Sequence, residues 1–367
     1  MVGRHGTSHL QPPPVRSQGP SARERWAGRH WRPQRLTTDA GSVEDQCSEH
    51  VDGSPGTAIV TCLRAAIAAP SIHNTQPWLF QVAGSQIRLF LDDRRRLAAI
   101  DPQGRAMHLA IGAALFNLRV AILSRGRAAD VELLPDPQLS SLAAVVTAGA
   151  VQRVDSPSLE LAQAIPRRRT NRRPFASRPV PDSILAECVA AALMEGGLLI
   201  PADPIARYDV LALTRAAQRR QQTDPGYLAE LGAWAPTPSG RADGIPAASI
   251  GPRPDPASLP LRDFDPVGTR RGARFEPEPT IGVLFSRGDG PADWLRAGQA
   301  LQRVLLTATA RGVATSLLTQ ATEVAPMRTE LAAPGEPHWA QAVIRFGYAG
   351  RAPRTPRRPL SDVLLPR

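Results

Sequence analysis

Two long apolar segments of this chain resemble each other, and they constrain its architecture more than any other feature. Residues 111–126 read IGAALFNLRVAILSRG and residues 297–312 read AGQALQRVLLTATARG, and the two align without a gap. Both have the apolar spacing of a helix, and each is followed by a β-like run. The pattern predicts two related halves that pack through these helices, as the subunits of a fused homodimer would. Chance similarity between two Ala- and Leu-rich helices is the alternative.

The mixture of periodicities predicts an α+β fold. In the first half, a helical pattern stops at Pro70, and WLFQVAGSQIRLFLDD reads as two strands joined at Gly84 and Ser85. In the second half, helices are predicted at 157–164, 181–194 and 203–221, and strands at 196–200, in TIGVLFS and in QAVIRFGYAG.

Composition divides the chain into an extension, two halves and an insertion. Residues 1–55 are poor in aliphatic side chains and rich in Pro, Gly, Ser and Arg, so we expect them to be disordered. An over-called translation start is the favoured interpretation of this extension, and a basic tail that binds a polyanion is the alternative. The halves are predicted to span 56–155 and 156–367. Residues 222–277 are dense in Pro and Gly, and a loop of that length predicts a lid over a site.

The formal net charge of +11 suggests a nucleic-acid partner, but the rest of the sequence argues against one. The chain has no lysine, so all 44 basic residues are arginine, and together with 37 prolines this is typical of GC-rich codon usage. The main arginine run also lacks the interleaved aromatic residues that stack on single strands. We therefore expect no nucleic-acid partner.

Other classes of protein are disfavoured by missing motifs. The three cysteines, Cys47, Cys62 and Cys188, are scattered and lack the spacing of a disulfide framework or a thiolate metal site. No apolar run reaches the roughly 18 residues of a membrane span, and the N-terminus does not read as a signal peptide. There is no GxSxG elbow, P-loop or strand-borne GxGxxG motif. A cytoplasmic protein without a membrane partner is expected.

The motif PSIHNTQPW at 70–78 is a candidate binding loop. It places a hydroxyl, an imidazole and two carboxamides directly after a predicted helix, on Ser71, His73, Asn74 and Gln76. Such short neutral groups suit the edge of a planar heterocycle. A loop that merely ends the helix is the alternative. No His, Cys or carboxylate stands at ligand spacing from the imidazole, so no metal site is predicted.

The segment RRRTNRRPF at 167–175 is a candidate anion site. Its five arginines surround Thr170 and Asn171, and guanidinium groups match phosphate oxygens in a bidentate manner. One bound phosphate is the natural ligand, and a solvated basic loop is the alternative.

From about residue 57 to its C-terminus, the chain resembles the nitroreductase-like FMN flavoprotein superfamily, and in particular its actinobacterial Acg-type branch. AAPSIHNTQPW resembles the flavin-contacting loop, RRTNRRPFASRPVP resembles the arginine motif that grips the FMN phosphate, and RRPLSDVL at 357–364 resembles the C-terminal tail. The resemblance implies two sets of FMN-binding residues. The flavin ring would contact Ser71, His73, Asn74 and Gln76, and the phosphate would contact Arg169, Thr170, Asn171 and Arg173, with Arg357 and Arg358 as weaker candidates.

The order of the motifs departs from that of an ordinary family domain, in which the arginine motif precedes the polar loop. Here each half has kept one motif, so the resemblance implies a nitroreductase-like α+β fold with an internal pseudo-dimer, one composite site and one FMN per chain. It further implies an oxidoreductase that transfers electrons from NAD(P)H through FMN to nitroaromatic or quinone-type acceptors. We assign no residue as general acid or base. A protein that sequesters FMN under a lid is the alternative. Small-molecule partners and a monomer or weak dimer are expected.

Overall fold

A computed structural model describes residues 55–255, 259–265, 270–331 and 338–366. The predicted extension therefore lies outside the described residues, apart from Pro55. The first half and the connection that follows it contain four strands and three helices: α1 (Pro55–Ala66), β1 (Trp78–Ala83), β2 (Gln86–Leu91), α2 (Arg105–Leu123), β3 (Arg127–Leu133), β4 (Leu142–Val151) and α3 (Ser156–Ala164). Short 3₁₀ turns lie at Ile72–Asn74 and Asp93–Arg95.

The second half has the same kinds of elements and several more. In chain order they are α4 (Asp182–Met194), β5 (Leu198–Pro201), α5 (Pro204–Gln222), α6 (Pro225–Trp234), α7 (Ala247–Ile250), β6 (Arg253–Pro254), β7 (Gly272–Ala273), β8 (Thr280–Ser286), α8 (Pro291–Ala310), β9 (Ala314–Leu317), α9 (Gln320–Glu323), α10 (Ala325–Glu330) and β10 (Trp339–Gly347). A 3₁₀ turn at Leu360–Asp362 precedes the C-terminus.

Each half builds one four-stranded antiparallel sheet, and the two sheets have the same topology. Their strand orders are β1-β2-β4-β3 and β5-β8-β10-β9. When the strands of each sheet are numbered along the chain, both sheets have the spatial order first, second, fourth, third. In the sequence, α2 and α8 each connect the second strand of their sheet to the third. This confirms the prediction of two related α+β halves in one chain.

The two halves pack through α2 and α8, as the repeat predicted. Gly112 and Gly298, which align in the sequence, lie where these helices cross. A Cβ at Gly112 would collide with the carbonyl oxygen of Leu295, and one at Gly298 would collide with that of Leu109. Glycine is thus required at both positions because each backbone takes the space of the other's side chain. Helix α2 is also the one described helix that is apolar and long enough to span a membrane, and 78% of its most apolar window is buried inside the protein.

A long insertion distinguishes the halves. Gly84 and Ser85 alone join β1 to β2, whereas residues 202–279 join the equivalent strands β5 and β8. The predicted lid at 222–277 falls within this connection, which begins earlier because α5 belongs to it.

The chain also crosses between the halves at two places. Near the C-terminus, Leu365 donates a backbone hydrogen bond to Phe80 in β1, and Phe80 donates one to Val363, both at 2.7 Å. After α3, the backbone of Asn171 donates to Thr315 in β9 at 2.8 Å. These crossings bring the arginine segment (167–175) and the tail (357–364) to the boundary between the halves. The polar loop (70–78) lies at the same boundary.

Candidate functional site

Two adjoining cavities open at this boundary. The first, which we call the wide cavity, has about 940 Å³ of empty space, part of it open to solvent, and is lined by the start of the polar loop, one face of α2, the end of β9 and part of the insertion. The second, the arginine cavity, has about 610 Å³ of empty space, also partly open to solvent, between the polar loop, the arginine segment and the tail. The two adjoin each other and share four wall residues: Pro70, Ser71, Thr170 and Arg172.

The polar loop is held in an unusual backbone conformation. His73, Asn74 and Gln76 have φ of 47°, 59° and 51°, in the left-handed region that residues other than glycine seldom adopt. Each such residue costs of order 1 kcal/mol or more, so surrounding contacts must hold it. One of these is within the loop, where Gln76 donates its backbone N–H to Ser71 Oγ at 2.9 Å. Such strain recurs at ligand sites.

The two carboxamides of the loop bind to other segments of the protein. Asn74 Nδ2 donates to the carbonyl of Gly244 in the insertion at 3.0 Å, and its Oδ1 accepts from Arg357 at 2.9 Å. Gln76 donates to the carbonyl of Ala242 at 2.9 Å and accepts from the backbone N–H of Arg358 at 2.8 Å. Asn74 still forms part of the arginine cavity wall, whereas Gln76 lies outside both walls.

His73 faces the wide cavity and has unused hydrogen-bonding capacity. It is 4% exposed, and neither ring nitrogen has a hydrogen-bond partner in the described part of the chain. Burial, together with the charges of Arg262 and Arg172, holds the pKa of this imidazole well below its usual value. The ring is therefore neutral at physiological pH and presents one donor and one acceptor. Phe264 of the insertion packs edge-on against it, with ring centroids 5.5 Å apart.

The arginine cavity concentrates positive charge without compensation. Five arginines line it, and no Asp or Glu does so among the described residues: Arg168, Arg169, Arg172, Arg354 and Arg357. Arg168 is 5% exposed, and its Nε and one terminal nitrogen have no hydrogen-bond partner within that same described part; the same holds for Arg169 Nε. Burial and the charge of Arg169 lower the pKa of Arg168 to about 10. Buried, like-charged and unpartnered guanidinium groups indicate an anion site.

Not every predicted phosphate residue points into this cavity. Arg169, Thr170 and Arg357 line it. Asn171 instead donates to the carbonyl of Gly350 at 2.9 Å and accepts from the backbone N–H of Arg173 at 3.1 Å, so it shapes the segment's own turn. The Arg173 side chain is exposed to solvent.

Arg358 also lies outside the cavity wall. Arg168 and Arg172 do line it; they belong to the predicted arginine segment but were not among the residues assigned to the FMN phosphate, and Arg354, which also lines it, was not predicted. The Arg358 guanidinium donates to the backbone of Gln76 at 3.3 Å and lies 3.6 Å from Asp92. No signal in the sequence separates the inward from the outward members of the arginine runs.

A buried ion pair positions the arginine segment. Arg345 on β10 is fully buried and binds Glu276, with donor–acceptor distances of 2.5 and 2.6 Å. Glu276 also accepts from the backbone N–H of Phe175 at 2.9 Å, and the Arg345 guanidinium lies 3.6 Å from the Phe175 ring centroid. The end of the insertion and the second sheet together therefore fix the C-terminal end of the arginine segment.

The insertion forms one wall of the wide cavity through Leu261, Arg262 and Phe264. Arg262 is held in place by Glu323, at 2.6 Å, and by the hydroxyl of Tyr227. Burial opposes the charge of Arg262, but Glu323 and Tyr227 outweigh that effect and raise its pKa.

The corresponding position on the other side of the pseudo-dimer carries a cluster of paired side chains. Gln299 aligns with Ala113, which lines the wide cavity, but Gln299 Oε1 accepts from Arg119 at 2.7 Å. Glu195 joins this cluster through ion pairs with Arg119 at 2.6 Å and Arg303 at 2.9 Å. A connection of only residues 195–197 replaces the longer polar loop there. Within the described part of the chain, a short connection and paired polar side chains therefore lie where the first half has its polar loop.

No family model matches the chain. It is similar to two proteins of Mycobacterium tuberculosis (strain ATCC 25618 / H37Rv). One, "Putative NAD(P)H nitroreductase Rv3131", is 36% identical over 83% of this chain and 90% of its own length. The other, "Putative NAD(P)H nitroreductase acg", is 34% identical over 83% of this chain and 94% of its own length. A solved structure, the FMN-dependent nitroreductase NfnB from Mycobacterium smegmatis in complex with NADPH, matches 55% of this chain and 97% of its own length at 20% identity and a TM-score of 0.35. That overall structural likeness is too low to bear on function.

Proposed function

This chain belongs to the Acg-type family of nitroreductase-like proteins, and on that premise we propose that it is an FMN-binding oxidoreductase. It would transfer electrons from NAD(P)H through FMN to nitroaromatic or quinone-type acceptors. The names of the relatives support the reaction class. The observation that carries the proposal is the buried arginine cluster, which adjoins a cavity containing an imidazole with unused hydrogen-bonding capacity.

The residues present fit FMN. Its phosphate is a dianion or nearly so, and the unused nitrogens of Arg168 and Arg169 supply charge-assisted donors for it. Its planar ring needs apolar walls with a few polar groups. The wide cavity provides Leu109 and Ala113 from the first half and Leu301 from the second, with His73 at the polar edge.

The chain's own residues bind and orient, and FMN when bound supplies the hydride chemistry. Arg168, Arg169 and Thr170 would hold the phosphate end. Neutral His73 would make one hydrogen bond to the ring edge without adding a charge. The apolar walls and the insertion would exclude water from the ring.

The cluster at the counterpart position supports one FMN per chain. It lies where a symmetric second site would need a polar loop, and both parts of the proposed site come from the same polypeptide. We therefore also propose a monomer or weak dimer, since the usual second subunit is built in. We further propose that the protein is cytoplasmic.

A second candidate function is sequestration of FMN with little turnover. It is favoured by the insertion, because Phe264 packs against His73 and the buried Arg262–Glu323 pair anchors the same segment beside the wide cavity. A closed insertion would keep nicotinamide and acceptors away from the ring.

Reduction under anaerobic conditions separates the two functions. The FMN-loaded protein is mixed with NADPH, and the loss of flavin absorbance is followed in a stopped-flow instrument. A rate of roughly 1 s⁻¹ or faster is needed for a typical turnover. Rapid bleaching, followed by oxidation with menadione or nitrofurazone, supports the reductase. Bleaching by dithionite but not by NADPH supports sequestration, and a protein that takes up no FMN contradicts both.

A further inference from the structure

Arg357 connects the arginine cavity to the polar loop. Its guanidinium donates to Asn74 Oδ1 at 2.9 Å, and to the backbone carbonyls of Ile67 at 2.7 Å and Ala69 at 3.0 Å. These carbonyls follow the C-terminal end of α1, where the helix dipole favours a positive charge. The same side chain forms part of the cavity wall. One guanidinium therefore contacts the anion site and also holds the loop that bears His73.

Asn74 extends this connection to the insertion. Its Nδ2 donates to the carbonyl of Gly244 at 3.0 Å, and the backbone N–H of Gly244 donates back to the Asn74 carbonyl at 3.3 Å. Gln76 adds a second link to the insertion at Ala242. A continuous path of hydrogen bonds thus runs from the arginine cavity through Arg357 and Asn74 to the segment that leads to the cavity wall.

The position of Arg357 is electrostatically unfavourable without an anion. Burial, followed by the charges of Arg168, Arg354 and Arg169, lowers its pKa to about 9. Its hydrogen-bond acceptors are neutral amides and a hydroxyl, and no carboxylate pairs with it in the described ranges. An anion in the cavity would offset the repulsion and favour the charged guanidinium in the place where it holds Asn74.

We propose that Arg357 is a positioning residue that couples occupancy of the arginine cavity by a phosphate group to the order of residues 71–76 and of the insertion at 242–244. The inference rests on the proposed function, because the coupled ligand groups are the two ends of FMN. By linkage, an anion in one cavity then strengthens binding of a ring in the other, and the ring strengthens binding of the anion by the same factor. The phosphate of FMN would thus prepare the ring site as well as add its own contacts.

The test uses the two ends of FMN as separate probes. Riboflavin, which lacks the phosphate, is titrated into the full-length apoprotein with and without inorganic phosphate, at an ionic strength matched with chloride. Phosphate should tighten riboflavin binding by about fivefold or more. It should also slow amide hydrogen exchange at residues 71–76 and 242–244.

Two variants and a control locate the effect. In Arg357→Gln, phosphate should tighten riboflavin binding by less than about twofold, which is below the usual range of coupling between two sites. Asn74→Ala removes the amide that accepts the Arg357 hydrogen bond while leaving every arginine in place, so phosphate should no longer tighten riboflavin binding in this variant either. Asn74→Ala also provides the test if Arg357→Gln fails to fold. Arg167→Gln removes an exposed charge from the same part of the protein and should retain the enhancement.

The outcomes distinguish this inference from the function on which it rests. If calorimetry shows that phosphate binds but riboflavin affinity and amide exchange do not respond, the coupling is overturned and the FMN site stands. An enhancement that survives in both Arg357→Gln and Asn74→Ala overturns the role of this path. If phosphate, riboflavin and FMN all fail to bind, the proposed function fails together with the coupling.

Discussion

Replacing Arg168 with methionine should stabilise the apoprotein and weaken FMN binding at the same time. The guanidinium is 5% exposed, and burial, followed by the charge of Arg169, lowers its pKa from the usual arginine value to about 10. Folding therefore opposes its charge by about 3 kcal/mol, at 1.36 kcal/mol per pKa unit. Methionine fills similar space without a charge, so Arg168→Met should raise the free energy of unfolding of the apoprotein by about 1–3 kcal/mol.

The same substitution should weaken FMN binding, although it stabilises the apoprotein. A hydrogen bond to a charged group contributes about 1.5–3 kcal/mol, so FMN should bind Arg168→Met about 10- to 150-fold more weakly. Riboflavin has no phosphate, and its affinity should change by less than about threefold, within the context dependence of such contacts. Flavin fluorescence titration gives both affinities, and urea denaturation of the apoprotein gives the stability.

An exposed neighbour supplies the control. Arg167→Met removes a charge one residue away that faces solvent, and it should leave stability and both affinities nearly unchanged. A phosphate-binding role for a buried, unpaired Arg168 is excluded if Arg168→Met loses affinity for riboflavin as strongly as for FMN, or if the apoprotein becomes less stable.

Three further changes probe the packing, the imidazole and the insertion. Gly298→Ala should lower the free energy of unfolding in urea by about 1–3 kcal/mol because the helices must separate. Gly232→Ala, in a helix with open space around it, should be neutral or stabilising. Because the pKa of His73 is lowered on folding, its contribution to stability is present above the unfolded pKa of about 6.5 and is lost as pH falls below it. His73→Gln should therefore flatten the decline in melting temperature between pH 7 and 5, and an unchanged slope contradicts its burial as a neutral ring. Phe264→Ala should speed anaerobic reduction by NADPH if the insertion limits access, and an unchanged rate with FMN still bound counts against that role.

The sequence predicted the parts of the fold that depend on local periodicity. Helices α2 and α8, with glycines at their crossing, follow from a repeat that can be read without a structure, and the fusion of two related α+β halves is confirmed by the matching strand orders. The start of the insertion was less accessible. Helix α5 reads as an ordinary helix of the second half, and only the pairing of β5 with the distant β8 shows that it interrupts a hairpin.

The site was predictable as segments but not as side-chain directions. The polar loop and the arginine segment do meet, yet Arg168 turns inward and Arg173 outward. That choice depends on the backbone pairing of Asn171 with Thr315 and on the anchor at Glu276, both far away in the sequence. The partners of Asn74 likewise come from the insertion and the tail, so spacing alone could not reveal them.

We propose that one composite site binds FMN through its phosphate. The most direct measurement is the stoichiometry of FMN on the reconstituted protein, determined from flavin absorbance and protein concentration, with riboflavin titrated in parallel. We predict one FMN per chain, bound at least about tenfold more tightly than riboflavin. A colourless protein that cannot be reconstituted, two FMN per chain, or equal affinity for FMN and riboflavin would contradict the account.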